Sequence, residues 1–110
     1  MRFALTLCVT LAACGGGDDG PDPEQACRDF ADSLADMCVR CFPADPDAYS
    51  TCYDFVIQDL ANGDCANVKS VRDATELYDE CLPWMRTVAC SVVTTPGFKV
   101  DSSCQGQLEL

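Results

Sequence analysis

Residues 22–41, DPEQACRDFADSLADMCVRC, carry the clearest structural signal in this sequence. Asp22 is a good N-cap, Pro23 suits the first helical position, and Gln25 lies three residues after the cap. Pro43 ends the pattern, because the residue before a proline is disfavoured in helical angles. The sequence therefore predicts an amphipathic helix that ends near residue 41, with apolar residues at steps of three and four: Cys27, Phe30, Ala31, Leu34, Cys38 and Cys41.

Two later stretches repeat this pattern. The Asp-Pro pair at 45–46 predicts a second start, and the Asn-Gly pair at 62–63 predicts a stop after the apolar residues Tyr49, Cys52, Tyr53, Val56 and Leu60. A third stripe begins after Ser70 and ends before Pro83: Val71, Ala74, Leu77, Tyr78 and Cys81. The segment from 83 to 90 predicts a fourth, shorter helix, although a strand is equally compatible with Val88, Val92 and Val93. After a turn at 94–97, the tail has no periodicity.

A short apolar run lies upstream of these stretches. Arg2 supplies one positive charge, and residues 3–13 are almost entirely apolar. Eleven residues rise only about 16 Å as a helix, well short of the roughly 30 Å core of a bilayer. The run therefore predicts a signal peptide rather than a permanent membrane span.

The end of that run, Leu11-Ala12-Ala13-Cys14, resembles the lipobox of bacterial lipoproteins. In that family the cysteine is linked to diacylglycerol, becomes the new N-terminus after cleavage, and is then N-acylated. The resemblance implies a signal peptide over residues 1–13, a lipidated Cys14, and a membrane as partner through its acyl chains. An ordinary cleavage site beside a chance cysteine is the alternative. Gly15, where some relatives carry a retention aspartate, favours the outer membrane or the cell surface.

The chain is organised around this boundary. Residues 14–21 are rich in glycine and aspartate and form the expected flexible tether, so the folded domain is expected to span residues 22–110. Cleavage after Ala13 removes one basic residue and no acidic one, which changes the net charge from −11 to −12. Such a charge repels phosphate backbones, and nucleic acid is excluded as a partner. The simplest role of the charge is solubility.

The assignments above give different roles to the ten cysteines of the chain. Cys8 leaves with the signal peptide and Cys14 takes lipid, so an even number remains for the folded domain: Cys27, Cys38, Cys41, Cys52, Cys65, Cys81, Cys90 and Cys104. An even count in a small exported domain predicts a structural disulfide framework, here of four bridges. We expect no metal or cofactor, because only one C-x-x-C pair is present and histidine is absent.

The expected helical hairpin suggests which cysteines pair. If the first two helices are antiparallel, Cys38 or Cys41 faces Cys52, and Cys27 lies towards Cys65. The tail is then expected to be closed by a bond between Cys90 and Cys104. The fold predicted from these signals is all-α, a small disulfide-stapled bundle of three to four short helices.

Cysteine spacing, helix count and lipobox together resemble the small cysteine-rich lipoproteins that are numerous in the myxobacterial type of cell envelope. In that group a late cysteine-rich hairpin ends in a motif similar to Ser103-Cys104-Gln105-Gly106. The resemblance spans residues 14–106. Members of the group generally have no assigned activity, so the resemblance implies a fold and a location only.

One motif has a catalytic counterpart. Cys38-Val39-Arg40-Cys41 has the C-x-x-C spacing of thiol–disulfide oxidoreductases. It lies at the C-terminal end of the first predicted helix, where the helix dipole opposes a thiolate, although Arg40 offsets part of that effect. Hydrolytic arrangements lack a histidine. The segment 59–64 resembles a calcium loop only faintly and reads better as a helix stop.

The favoured interpretation is a non-enzymatic, lipid-anchored interaction module of the cell envelope or surface, with an unknown protein partner. The alternatives are a redox protein that uses the C-x-x-C motif, and an exported inhibitor or ligand-binding scaffold. Three aromatic residues fall off the predicted apolar stripes and are candidates for an exposed contact patch: Phe42, Phe55 and Phe98.

Overall fold

A computed structural model describes residues 22–110 of the chain. The predicted signal peptide at 1–13, the lipidated Cys14 and the tether at 14–21 lie outside the described residues. Within the described part, no helix combines the length and the apolar character that crossing a membrane requires.

Helix α1 (Pro23–Cys41) is the longest element, and it begins as the sequence predicts. The Asp22 carboxylate accepts the Gln25 N–H at 2.9 Å, and the proline follows the cap directly. At the other end, the Phe42 N–H donates to the Cys38 carbonyl at 2.8 Å. The first predicted helix is therefore confirmed.

Helix α2 (Ala48–Phe55) starts later than the Asp-Pro pair at 45–46 predicted. The Asp45 carboxylate accepts the N–H of Asp47, only two residues on, at 2.9 Å. That contact is an Asx turn rather than a helix cap, and it delays the helix. A π-helical turn (Val56–Leu60) extends α2, and the predicted stop at 62–63 is confirmed by positive φ angles of 54° and 102°.

The third helix is composite. It consists of α3 (Ala74–Glu76), a second π-helical turn (Leu77–Cys81) and α4 (Leu82–Thr87). The predicted break before Pro83 is wrong, because the chain stays helical through the proline. The Leu82 N–H bonds the Leu77 carbonyl, five residues back, so the helix is already widened beside the proline ring. This relieves the clash that a proline makes inside a regular α-helix.

The remaining elements are short. They are a 3₁₀ turn (Cys65–Asn67), helix α5 (Cys90–Val93) and a second 3₁₀ turn (Ser102–Cys104). The valine-rich segment that equally suited a strand is extended only around Val88 and then enters α5. The tail, which the sequence left without a pattern, supplies β2 (Leu108–Glu109), which pairs antiparallel with β1 (Ser70–Val71).

A buried glutamine fixes the tail against the start of the third helix. Gln107 is 1% exposed, and its side-chain oxygen accepts the N–H of Asp73 at 3.0 Å. Its amide nitrogen donates to the Ser103 carbonyl at 2.8 Å and to the Glu76 carboxylate at 3.0 Å. All of these contacts lie in the interior or at its edge, where an unpaired amide is costly. The tail is thus an integral part of the domain.

Helix α1 lies at the centre of the fold, with α2 packed on one side and α4 on another. Because it is covered from two directions, it buries more than the predicted stripe. Ala35 and Met37 are buried, and so is Ser33, which is fully enclosed. The core is completed by residues of both π-helical turns, α4 and α5, among them Val56, Leu77, Leu82, Met85 and Val93.

The eight cysteines of the described domain form four disulfide bonds: Cys27–Cys65, Cys38–Cys52, Cys41–Cys90 and Cys81–Cys104. The first two agree with the hairpin geometry expected from the sequence. A bond between Cys90 and Cys104 was also expected, and that prediction is wrong. The chain after α4 turns back to the end of α1, which brings Cys90 to Cys41, whereas the tail runs along the third helix to Cys81.

Disulfide bonds persist in oxidising environments and are rare in the cytosol of most organisms. A small, mostly helical domain with four of them is consistent with an extracytoplasmic location.

Candidate functional site

An apolar groove runs along α1 on the side that faces α2. The two helices form a hairpin joined by the bond between Cys38 and Cys52. Side chains from α5 and from the segment 98–100 close the far wall. The amphipathic stripe of α1 explains the apolar floor, because α2 covers only part of it.

The apolar groove has two adjoining lobes. One has a volume of about 350 Å³ and includes Met37, Phe42 and Val93 in its lining. The other has a volume of about 440 Å³ and reaches Phe30 and Val100. Both lobes share three lining residues, which shows that they are parts of one surface: Leu34, Phe55 and Phe98.

The three off-stripe aromatics are all placed on this groove. Phe42 is 42% exposed and Phe55 is 47% exposed. Phe98 is half-buried and stacks on Trp84, with ring centroids 6.2 Å apart and planes 5° apart. The sequence suggested that these residues form a contact patch, and the structure brings them to one surface. Their shared floor depends on tertiary packing that the sequence pattern did not show.

Several exposed carboxylates are close in sequence to residues that line the apolar groove. Two lie in the turn after Phe42, two flank Phe55 on α2 and its π-helical turn, and one follows Val100; all are exposed: Asp45, Asp47, Asp54, Asp59 and Asp101. Hydrogen bonds from the Ser103 hydroxyl and N–H lower the pKa of Asp101. The segments that border the groove therefore carry more acidic side chains than basic ones.

The C-x-x-C motif is split between two bridges, because Cys38 bonds Cys52 and Cys41 bonds Cys90. Arg40, which we considered as a partner for a thiolate, has another contact. Its guanidinium donates to the carbonyl of Val88 at 2.7 Å and to that of Met85 at 3.1 Å. It thereby satisfies backbone carbonyls at the end of the third helix. This arrangement contains no Cys38–Cys41 bond.

Two tyrosine–aspartate pairs tie the helices together. The Tyr49 hydroxyl donates to Asp32 at 2.5 Å, and the Tyr78 hydroxyl donates to Asp29. The hydrogen bond to Asp32 raises the pKa of Tyr49 to about 12. Burial, and then the bond to Asp29, raises the pKa of Tyr78. The sequence pattern places both tyrosines on apolar stripes but does not show their hydroxyl partners, although both aspartates adjoin the stripe of α1, and Tyr49 is 41% exposed.

A second concavity lies between α1 and the third helix, and its charged groups already have partners. It is open, with a volume of about 490 Å³, and is lined in part by Asp29, Tyr78 and Arg86. The Arg86 guanidinium donates to the buried Ser33 hydroxyl at 2.9 Å and lies 3.6 Å from Asp36. The polar groups here hold the helices together, which makes this region a weaker candidate for a binding site.

The segment 59–64 ends α2 rather than forming a loop around an ion. Asp64 accepts the N–H of Ala66 at 2.8 Å and caps the first 3₁₀ turn, while Asn62 has a positive φ. Among residues 22–110, no three histidine, cysteine or acidic side chains are grouped so that they could hold a metal ion.

No protein-family model matches this sequence, and comparison with curated proteins and with solved structures finds no similar chain. The functional interpretation therefore depends on the geometry and chemistry of the apolar groove.

Proposed function

We propose that this protein is a non-enzymatic interaction module that is lipid-anchored at Cys14 to the outer membrane or cell surface and that binds a partner protein in its apolar groove. The observation that carries the proposal is the exposure of Phe42 and Phe55 above a continuous apolar floor. Aromatic side chains gathered around one concavity are typical of binding surfaces, where they supply most of the binding energy.

Covalent links support this role by holding the groove in shape. The bond between Cys38 and Cys52 lies in one lobe, and Cys104, bonded to Cys81, lines the other. The Cys41–Cys90 bond ties α5 to α1. A preformed surface loses less conformational entropy when a partner binds.

The chemistry of the side chains supports a role without catalysis. The chain has no histidine, and the cysteines of residues 22–110 are all in disulfide bonds. The redox alternative needs Cys38 and Cys41 to bond each other, and they bond other cysteines. An inhibitor or ligand-binding scaffold would use the same groove and differs only in what occupies it.

Site-specific crosslinking in cells tests the proposal. A photoreactive residue at Thr51, which is exposed and lines the groove, should give a discrete adduct. The same residue at Glu80, exposed on the third helix and outside the groove lining, is the matched control. Adding Phe55→Ser to the Thr51 protein should abolish the adduct. Equal adducts from both positions, or an adduct that survives Phe55→Ser, would contradict the proposal.

The anchor is tested separately. Cys14→Ser should leave a precursor that is uncleaved or mislocalised and that carries no lipid, because it removes the only acceptor in the lipobox-like segment. Metabolic labelling with palmitate and membrane fractionation give the readout. Label on the Cys14→Ser protein, or a fully soluble unsubstituted protein, would refute the anchor and leave the groove proposal intact.

A further inference from the structure

We infer that the apolar groove binds a positively charged amphipathic helix of about three turns. This inference rests on the proposed function and specifies the chemistry of the partner. The length of the groove, its walls and the charge of the neighbouring segments all favour such a partner.

The length follows from α1 and its C-cap, which line the groove from Phe30 to Phe42. Twelve residues of helix rise about 18 Å, and a partner helix of the same length makes about three turns. Such a helix presents apolar residues at i, i+3 or i+4, and i+7, which matches two lobes joined at Phe55 and Phe98.

The walls favour a helix over an extended strand. They consist of α1, of α2 with its π-helical turn, of Val93 from α5, and of the tail at 98–100 and 104–106, and none of these segments is a β-strand. An extended peptide would find no strand edge among the elements that line the groove, and its N–H and C=O groups would lose water without gaining partners. A helix satisfies its own backbone and buries only side chains.

The charge selects a basic partner. Five exposed aspartates are close in sequence to lining residues of the groove, and none of them forms an ion pair with another side chain of residues 22–110. Lys99, beside Phe98, is the nearest basic residue in sequence. Three arginines elsewhere are paired with carboxylates, as Arg28 is with Glu24 at 2.7 Å. The fourth, Arg40, is bonded to backbone carbonyls.

Other occupants are disfavoured by the same charge. The chain has a net charge of −11, so a second copy brings repulsion to the acidic segments that border the groove. An anionic lipid surface is repelled for the same reason. A partner with lysine or arginine beside its apolar face gains attraction, which raises its association rate and its specificity.

Two designed peptides test the inference against the oxidised chain of residues 14–110 carrying Cys14→Ser, which has neither the apolar run at 3–13 nor acyl chains to compete for the groove. One is an amphipathic leucine–lysine helix of about 14 residues, and the other replaces every lysine with glutamate. Calorimetry should show the lysine peptide binding at least about tenfold more tightly at physiological salt, with an affinity that falls as salt rises. Phe55→Ser should weaken its binding about tenfold or more.

A matched pair of charge variants locates the effect. Asp54→Asn combined with Asp59→Asn should weaken binding of the lysine peptide about threefold to tenfold. Asp79→Asn combined with Glu80→Gln removes two exposed charges from the third helix and should change the affinity less than twofold. Equal losses from both pairs would show a general charge effect and overturn the assignment to the aspartates near the groove.

The remaining outcomes separate this inference from the proposed function. If both peptides bind equally and Phe55→Ser weakens their binding, the preference for a basic partner is wrong, while the groove remains a binding site. Failure of the lysine peptide to bind would overturn the inference, while the crosslinking from Thr51 decides the proposed function independently. If sedimentation shows a dimer that Phe55→Ser disrupts, the occupant of the groove is a second copy of the chain rather than a basic helix.

Discussion

The two sides of α1 differ in whether their side chains find partners within the domain. On the side of the third helix, Arg86 bonds the buried Ser33 and the Tyr78 hydroxyl bonds Asp29. On the side of the apolar groove, Phe42 and Phe55 remain exposed above an apolar floor. The first side has its polar partners within the domain, and the second leaves apolar surface uncovered. A substitution on the first side should therefore affect stability, and one on the second should affect binding.

Reducing all the disulfides should have the largest effect on stability, because it removes the bridges that support both sides of α1. Each bridge contributes about 2–4 kcal/mol, so the fully reduced domain should lose most of its thermal stability and its groove. Circular dichroism of the oxidised protein should be mainly helical, and reduction should lower the melting temperature by tens of degrees. A melting temperature that does not change on reduction would refute the structural role of the bridges.

Single bridges give a finer comparison. Removing the bond between Cys41 and Cys90, 49 residues apart, should cost about 4 kcal/mol by loop entropy. Removing the bond between Cys38 and Cys52, 14 residues apart, should cost about 3 kcal/mol. Paired alanine variants and denaturant unfolding measure the difference. The reverse order would mean that packing in the groove, rather than loop length, sets the effect.

Arg86→Ala tests the side of the third helix. It leaves the fully buried Ser33 hydroxyl without its partner, which should cost about 1–2 kcal/mol of unfolding free energy. Its affinity for the lysine peptide should stay within about twofold, because Arg86 does not line the groove. Unchanged stability together with weaker binding would contradict the assignment of this side of α1 to stability.

Phe55→Ser tests the side of the groove, where the stability effect should be small. The side chain is 47% exposed, so its removal should lower the unfolding free energy by about 1 kcal/mol, less than the loss of a fully buried phenylalanine. Binding of an apolar fluorescent dye should fall at the same time. A large loss of stability would show that Phe55 is part of the core rather than a contact residue.

The tyrosine–aspartate pairs give the smallest effect, which appears only at high pH. Because the folded pKa of Tyr49 is raised to about 12, the folded state favours the neutral phenol. The stabilisation is complete below the ordinary pKa of about 10 and is lost as pH rises towards 12. Asp32→Asn should let Tyr49 ionise at lower pH, followed by phenolate absorbance. An unchanged titration curve would mean that the bond to Asp32 does not control this group.

Local signals predicted the parts of the fold that local chemistry determines. The start of α1 depends on a cap and a proline that adjoin each other, and the Cys38–Cys52 bond depends on a short hairpin. The position of Cys90 depends on Arg40, which bonds carbonyls 45 and 48 residues away. Contacts at that separation leave no periodic trace in a sequence.

The candidate site was predictable to a similar extent. Its aromatic residues were found because they fall off the helical stripes. The floor of the groove could not be predicted, because it forms only when α1, α2, α5 and the tail are packed together. The rule that proline ends a helix failed at Pro83, where a π-helical turn absorbs the ring.

The connectivity of the disulfides also constrains how the chain matures. No bridge joins two cysteines that are neighbours along the domain, since Cys38–Cys52 skips Cys41 and Cys81–Cys104 skips Cys90. An oxidant that acts on the chain before it folds forms bonds between neighbouring cysteines, and each such bond has to be exchanged before the native set is complete. We therefore expect a disulfide isomerase to raise the yield of the native domain.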